Sequence, residues 1–88
     1  MFTDNAEKSR FEWSEKGMIT FADYYPARDV LVIPHVEAPV PLRGTGAADR
    51  LMSALADHAR DKGLKLVPTC GYAAAWFRRH RDKADVLA

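Results

Sequence analysis

Cysteine is nearly absent from this chain. Cys70 is the only one in 88 residues, so an internal disulfide is excluded and a reducing compartment fits. Neither charge sign is in excess. Thirteen Lys and Arg against twelve Asp and Glu leave a formal charge of +1, which provides no basic field for nucleic acid. No apolar run approaches the ~20 residues of a membrane span. The opening Met1-Phe2-Thr3-Asp4-Asn5 lacks the apolar core of a signal peptide. Repeats and low-complexity tracts are also missing. His35, His58, His80 and Cys70 lie too far apart in sequence for metal-ligand spacing. These absences predict a soluble, cytoplasmic, self-contained domain over residues 1–88, with no metal, nucleic-acid or membrane partner. At this length the core is thin, and a protein partner or homodimer remains open.

The patterns that are present alternate and then turn helical. Phe11 and Trp13 share one face of a strand over 10–14, and Ile19 and Phe21 share one face of a second over 18–25. Val30 to Glu37 is the most apolar strand and is predicted to be central. Short turns at Glu15-Lys16-Gly17 and Pro26-Ala27-Arg28-Asp29 make these three strands an antiparallel meander. Ala47 to Lys62 has an apolar stripe at helical spacing, Leu51, Met52, Leu55 and Ala59 with Ala48 at its start, and Gly63 as its stop. Leu64 to Cys70 reads as a fourth strand and Tyr72 to His80 as a short helix. Asp82 to Ala88 has no clear pattern. Strand, helix and strand in that order predict a right-handed parallel crossover.

Between the central strand and the long helix stands Pro41-Leu42-Arg43-Gly44-Thr45-Gly46-Ala47-Ala48. A strand, a glycine-rich turn and a helix N-terminus form an anion site, because the first helical N–H groups lack partners and the helix dipole is positive there. Arg43 adds a cation with fork geometry. The stretch is not a P-loop, since no Gly-Lys-Ser/Thr follows, and Asp49 stands where a dinucleotide fingerprint needs its third glycine. The turn is similar to the pyrophosphate-binding turn of the GNAT acetyltransferases. Two prolines add to this. Pro34 and Pro68 fall towards the C-terminal ends of strands predicted to be parallel neighbours, and neither can donate to a ladder. Either the strands separate there, leaving a slot for a peptide-like ligand, or each proline marks a bulge or an edge.

Taken together over nearly the whole chain, Asp4-Asn5 through Arg10-Phe11-Glu12, His35-Val36-Glu37-Ala38-Pro39, Leu42-Arg43-Gly44-Thr45-Gly46, Ala59-Arg60-Asp61-Lys62-Gly63-Leu64-Lys65, Val67-Pro68-Thr69-Cys70 and Arg78-Arg79-His80 resemble the very small GNAT-like N-acetyltransferases of the YjdJ type. The resemblance implies an α+β fold, a minimal GNAT core. Its mostly antiparallel sheet carries a parallel strand pair splayed around the cofactor slot, with two helices. It implies acetyl-CoA as co-substrate, with pyrophosphate at Arg43, Gly44, Thr45, Gly46, Ala47 and Ala48, backbone N–H groups near Val36 on the thioester carbonyl, and an amine as acceptor. The chain departs from the family at Val36 and Ala38, at Gly71-Tyr72 and at His80-Arg81-Asp82-Lys83, where the family has threonine and valine, Pro-Phe and His-Pro-Glu-Tyr.

Four residues are candidates for chemistry. Cys70 is either a thiol acting at the thioester or a small core hydrophobe. His35, on the face of Leu31 and Ile33 if alternation is regular, is either a proton acceptor or a core histidine. Glu37 is a base on the same face as His35, or a solvated strand end. Tyr72 is a proton donor to the CoA sulfur at the cofactor slot, or packs on Trp76. The run Arg78-Arg79-His80-Arg81 is a solvated helix end, or attracts the nucleotide of CoA or an acidic partner. The alternative to catalysis is a CoA-binding module that acts through a protein partner, with the strand around Phe11 to Ser14 as an exposed edge.

Overall fold

The computed structural model describes all 88 residues. Five strands form one sheet in sequence order: β1 (Phe2–Asn5), β2 (Arg10–Glu15), β3 (Met18–Ala27), β4 (Val30–Glu37) and β5 (Lys65–Pro68). The first four run antiparallel, and β4 and β5 run parallel across helix α1 (Ala47–Lys62). Helix α2 (Gly71–Arg79) follows β5, and 3₁₀ turns span Ala6–Lys8, Val40–Leu42 and Arg81–Val86. This is the expected α+β architecture, with one strand more at the start. Because β1 covers its flank, β2 is interior, which corrects the expectation of an exposed edge at Phe11 to Ser14. The short, polar β1 is held from outside itself. Phe2 stacks on Phe11 at 5.7 Å and lies 5.2 Å from the His58 ring. Tyr24 donates to Asp4 at 2.7 Å across the sheet, and burial followed by that carboxylate pushes the phenol up to about 12. His58 is thus half-buried against β1 and β2.

Both α-helices contribute to a single core. Leu51, Met52, Leu55, Ala56 and Ala59 of α1 meet Ala73, Trp76 and Phe77 of α2 over Phe11, Ala22, Ile33 and Leu66 of the sheet. The helix begins its buried stripe at Ala47, not Ala48. It stops at Gly63, whose left-handed φ of 69° lets its N–H reach back to Ala59 and Arg60. In β3 the core side is Thr20 and Ala22, so the predicted pair Ile19 and Phe21 shares the opposite face. The C-terminal residues, patternless in sequence, are tied down by long-range contacts. Val86 is buried, Leu87 bridges Leu66, and Arg60 pairs with Asp85 at 2.6 Å.

One irregularity positions the site. In the β3–β4 ladder Asp23 faces His35, but Tyr25 faces Val32. Tyr24 of β3 therefore opposes two residues of β4, Ile33 and Pro34, which is a β-bulge. The bulge reverses the facing of everything after it. Leu31 and Ile33 pack on the core, then Val36 does, and His35 and Glu37 turn to the face that carries no helix. The expectation that His35 shares a face with Leu31 and Ile33 assumed regular alternation, and it is corrected here.

Candidate active site

The chain leaves β4 through Ala38 and Pro39, makes the 3₁₀ turn Val40–Leu42, and enters α1 through Arg43 to Gly46. Gly44 and Gly46 take φ of 78° and 91°, a region that costs side-chain-bearing residues steric strain. The turn is braced from within and without. Thr45 donates through Oγ1 to the Leu42 carbonyl at 2.6 Å. Arg50 donates to the Thr45 carbonyl at 3.2 Å and forks onto Glu15 at 3.1 and 3.0 Å. Burial raises the Glu15 carboxyl, but hydrogen bonds from Arg50 and Trp13 outweigh it and leave it below its usual range. No side chain caps α1 at Gly46, so the amides of its first turn have no partner within the helix. Arg43 is pinned by its Nε, which donates to the Ala38 carbonyl at 3.0 Å, leaving both terminal nitrogens of the guanidinium unbound.

These residues line a cavity of 290 Å³. Of the predicted binding residues, Arg43, Gly44, Gly46, Ala47, Ala48 and Tyr72 face it, whereas Thr45 and Val36 do not, and the Val36 side chain packs on the core. Sequence reasoning missed Ala38, Leu42 and Asp49 as lining residues. Asp49 is the informative miss. It accepts from Trp76 Nε1 at 2.7 Å and lies 3.5 Å from His80 Nε2. The His80 ring stacks on Trp76 at 4.0 Å, the place expected for Tyr72. Because its Nδ1 faces the Trp76 carbonyl at 2.8 Å, that nitrogen carries a proton, and Nε2 attracts Asp49 only when the ring is charged. The i, i+4 spacing of Trp76 and His80 was the available signal. Tyr72, freed from packing, is 37% exposed at the cavity. Burial first and the Asp49 charge second raise its phenol, so it keeps its proton at neutral pH.

The parallel ladder of β4 and β5 runs from Val30 and Lys65 to Ile33 and Pro68, where it stops. The Ile33 carbonyl accepts from both Thr69 and Cys70 amides, at 3.1 and 3.2 Å, and beyond it the two strands part. The bulge-or-edge reading of the prolines holds, with Pro34 in a bulge and Pro68 on the edge strand β5, and the ladder between the two strands ends at Ile33 and Pro68. Past the fork β4 keeps only β3 as neighbour. On its open face His35 Nε2 lies 3.0 Å from Glu37 Oε1, both about half exposed. Cys70 stands on the other arm as the half-buried N-cap residue of α2 and packs against the core. The structure therefore brings the turn residues and Tyr72 to one cavity, pairs His35 with Glu37, and places Cys70 across the fork without a polar contact to either.

A family model of GCN5-related N-acetyltransferases matches residues 10–86. The chain belongs to that family. The solution structure of a GCN5-like candidate N-acetyltransferase from Staphylococcus aureus matches it with a TM-score of 0.68 and 19% identity, over 100% of this chain and 87% of that one. At that identity the likeness is one of fold. No curated protein matches the chain. In this N-acetyltransferase no helix is long and apolar enough to cross a membrane, and the fork, the glycine turn and the His35–Glu37 pair all lie inside the matched span.

Proposed function

We propose that this chain moves acetyl from acetyl-CoA to an amine, with the pyrophosphate at the glycine turn and the thioester in the β4–β5 fork. One observation carries the reading: a 290 Å³ cavity at an uncapped helix N-terminus is lined by Ala38, the residue after β4, and by Tyr72 of α2, the helix that follows β5, and the ladder between β4 and β5 ends at Ile33 and Pro68. Phosphate oxygens need N–H donors and positive potential, which the first turn of α1 and the free nitrogens of Arg43 offer. The pantetheine arm has amides of its own, and the unpaired edge of β4 beyond Ile33, including the backbone near Val36, suits them. Acetyl-CoA supplies the acetyl group activated as a thioester.

The amine nitrogen attacks the carbonyl carbon, the C–S bond breaks, and CoA leaves as the thiol. His35 accepts the proton that the amine loses, and Glu37 at 3.0 Å orients the ring and stabilises its charged form. Tyr72, protonated at neutral pH, returns a proton to the departing sulfur. This direct route puts no acetyl on Cys70, so Cys70→Ala keeps most of the turnover, whereas an acyl carrier would lose nearly all of it.

Calorimetric titration of acetyl-CoA into wild type and Ala48→Glu tests the reading. A carboxylate in the first turn of α1 is favourable to the helix by about 0.3–1 kcal/mol, so the variant folds, but it fills the anion seat with like charge. Binding to wild type and its loss in Ala48→Glu is the expected result. No binding to folded wild type would overturn it. Binding without transfer to any member of an amine panel would leave a CoA-binding module in its place.

A further inference from the structure

A second groove lies on the other side of α2. Its 270 Å³ share no residue with the glycine-turn cavity. Tyr72 faces that cavity and Ala74 faces the groove, which places them about 200° apart around the helix. Ala74, Phe77, Ala84 and Leu87 give it apolar walls, and Arg78 and Arg81 stand on its rim. The two guanidiniums are unlike most others in the chain. Arg10, Arg50 and Arg60 each pair with a carboxylate, and Arg43 is held by a carbonyl. Arg78 and Arg81, like Arg28 and Arg79, have no hydrogen bond or ion pair from their side chains, and of these four only Arg78 and Arg81 line the groove. Two unneutralised forks beside an apolar concavity suit a ligand that has both parts.

We propose that this groove binds a small organic carboxylate with an apolar body, its hydrocarbon part against Phe77 and Leu87 and its carboxylate between Arg78 and Arg81. The volume suits an aromatic ring with a short tail, since about 150 Å³ suffices for benzene. A carboxylate fits better than a phosphate dianion, because Pro68 on the wall has no N–H to give and the first residues of neither α-helix line the groove. The site is independent of the acetyl-CoA reading.

The test is an amide chemical-shift titration of the full chain with 3-phenylpropionate, with 3-phenylpropylamine as the control of opposite charge. Saturable shifts at Ala74, Phe77, Arg78, Ala84 and Leu87 are expected, with none from the amine. The double variant Arg78→Gln/Arg81→Gln, which changes only exposed and unpaired side chains, should weaken binding by about tenfold or more, the scale of a lost charged hydrogen bond. Coenzyme A should not displace the probe. Absence of shifts in the groove, equal binding of the amine, indifference to the double variant, or displacement by coenzyme A would each overturn the assignment, the last by making the groove the seat of the nucleotide.

Discussion

The two halves of β4 are built differently. From Val30 to Ile33 the strand lies between β3 and β5, and Val32 and Ile33 are buried. From Pro34 to Glu37 it has β3 alone, and Pro34, His35 and Glu37 are exposed. Ladders on both edges consume the backbone groups of the first half and leave nothing for a ligand. In the second half one edge is released, and the bulge at Ile33 and Pro34 aims a His–Glu pair away from the core. The first half holds the fold together, and the second offers groups for chemistry. A single irregularity separates them.

The largest effect should come from breaking the structural half. Ile33→Ala empties a fully buried position at the root of the fork and should cost about 2–5 kcal/mol, read as a fall in the urea midpoint with an unchanged slope. In the other half, His35→Ala and Glu37→Gln should leave stability within about 0.5 kcal/mol. Under the proposed mechanism His35→Ala still lowers turnover by about a hundredfold. If these variants unfold as readily as Ile33→Ala, the division of β4 fails.

A smaller and opposite effect is expected on the helix-covered face. Thr20 is fully buried and its hydroxyl has no hydrogen-bond partner, so Thr20→Val should raise stability by about 1 kcal/mol, seen in the same urea curves. The smallest effect lies far from the site. A hydrogen bond from Arg60 holds the Asp85 carboxyl down to about 2. Because the folded value lies below the unfolded one, the pair contributes fully above about pH 4 and is lost as pH falls through about 2. The stability gap between wild type and Arg60→Gln should therefore shrink over that window and stay flat above it.

What the sequence made legible was local. Gly44 and Gly46 mark the turn because their φ angles demand them, and Gly63 ends α1 for the same reason. Pro34 and Pro68 located the fork because a missing N–H is visible in the residue type. Whatever depends on distant partners was not legible. The strand β1 rests on Phe2 meeting Phe11 and His58, and the last 3₁₀ turn rests on Arg60 holding Asp85. The facing of His35 turns on a register shift that no residue type announces, since proline tolerates either a bulge or an edge. In the sequence Asp49 is the residue standing where a dinucleotide fingerprint needs its third glycine, and only the fold brings Trp76 and His80 to it.

The most direct test of the account is an amide chemical-shift map of the protein with acetyl-CoA added. Shifts should appear together at Gly44, Gly46, Ala47 and Ala48, at Val36 on one arm of the fork and at Thr69 and Cys70 on the other, while Val32 and Leu66 stay in place. Binding that moves the glycine turn but leaves both arms of the fork untouched would contradict the claim that the break in the β4 ladder receives the thioester.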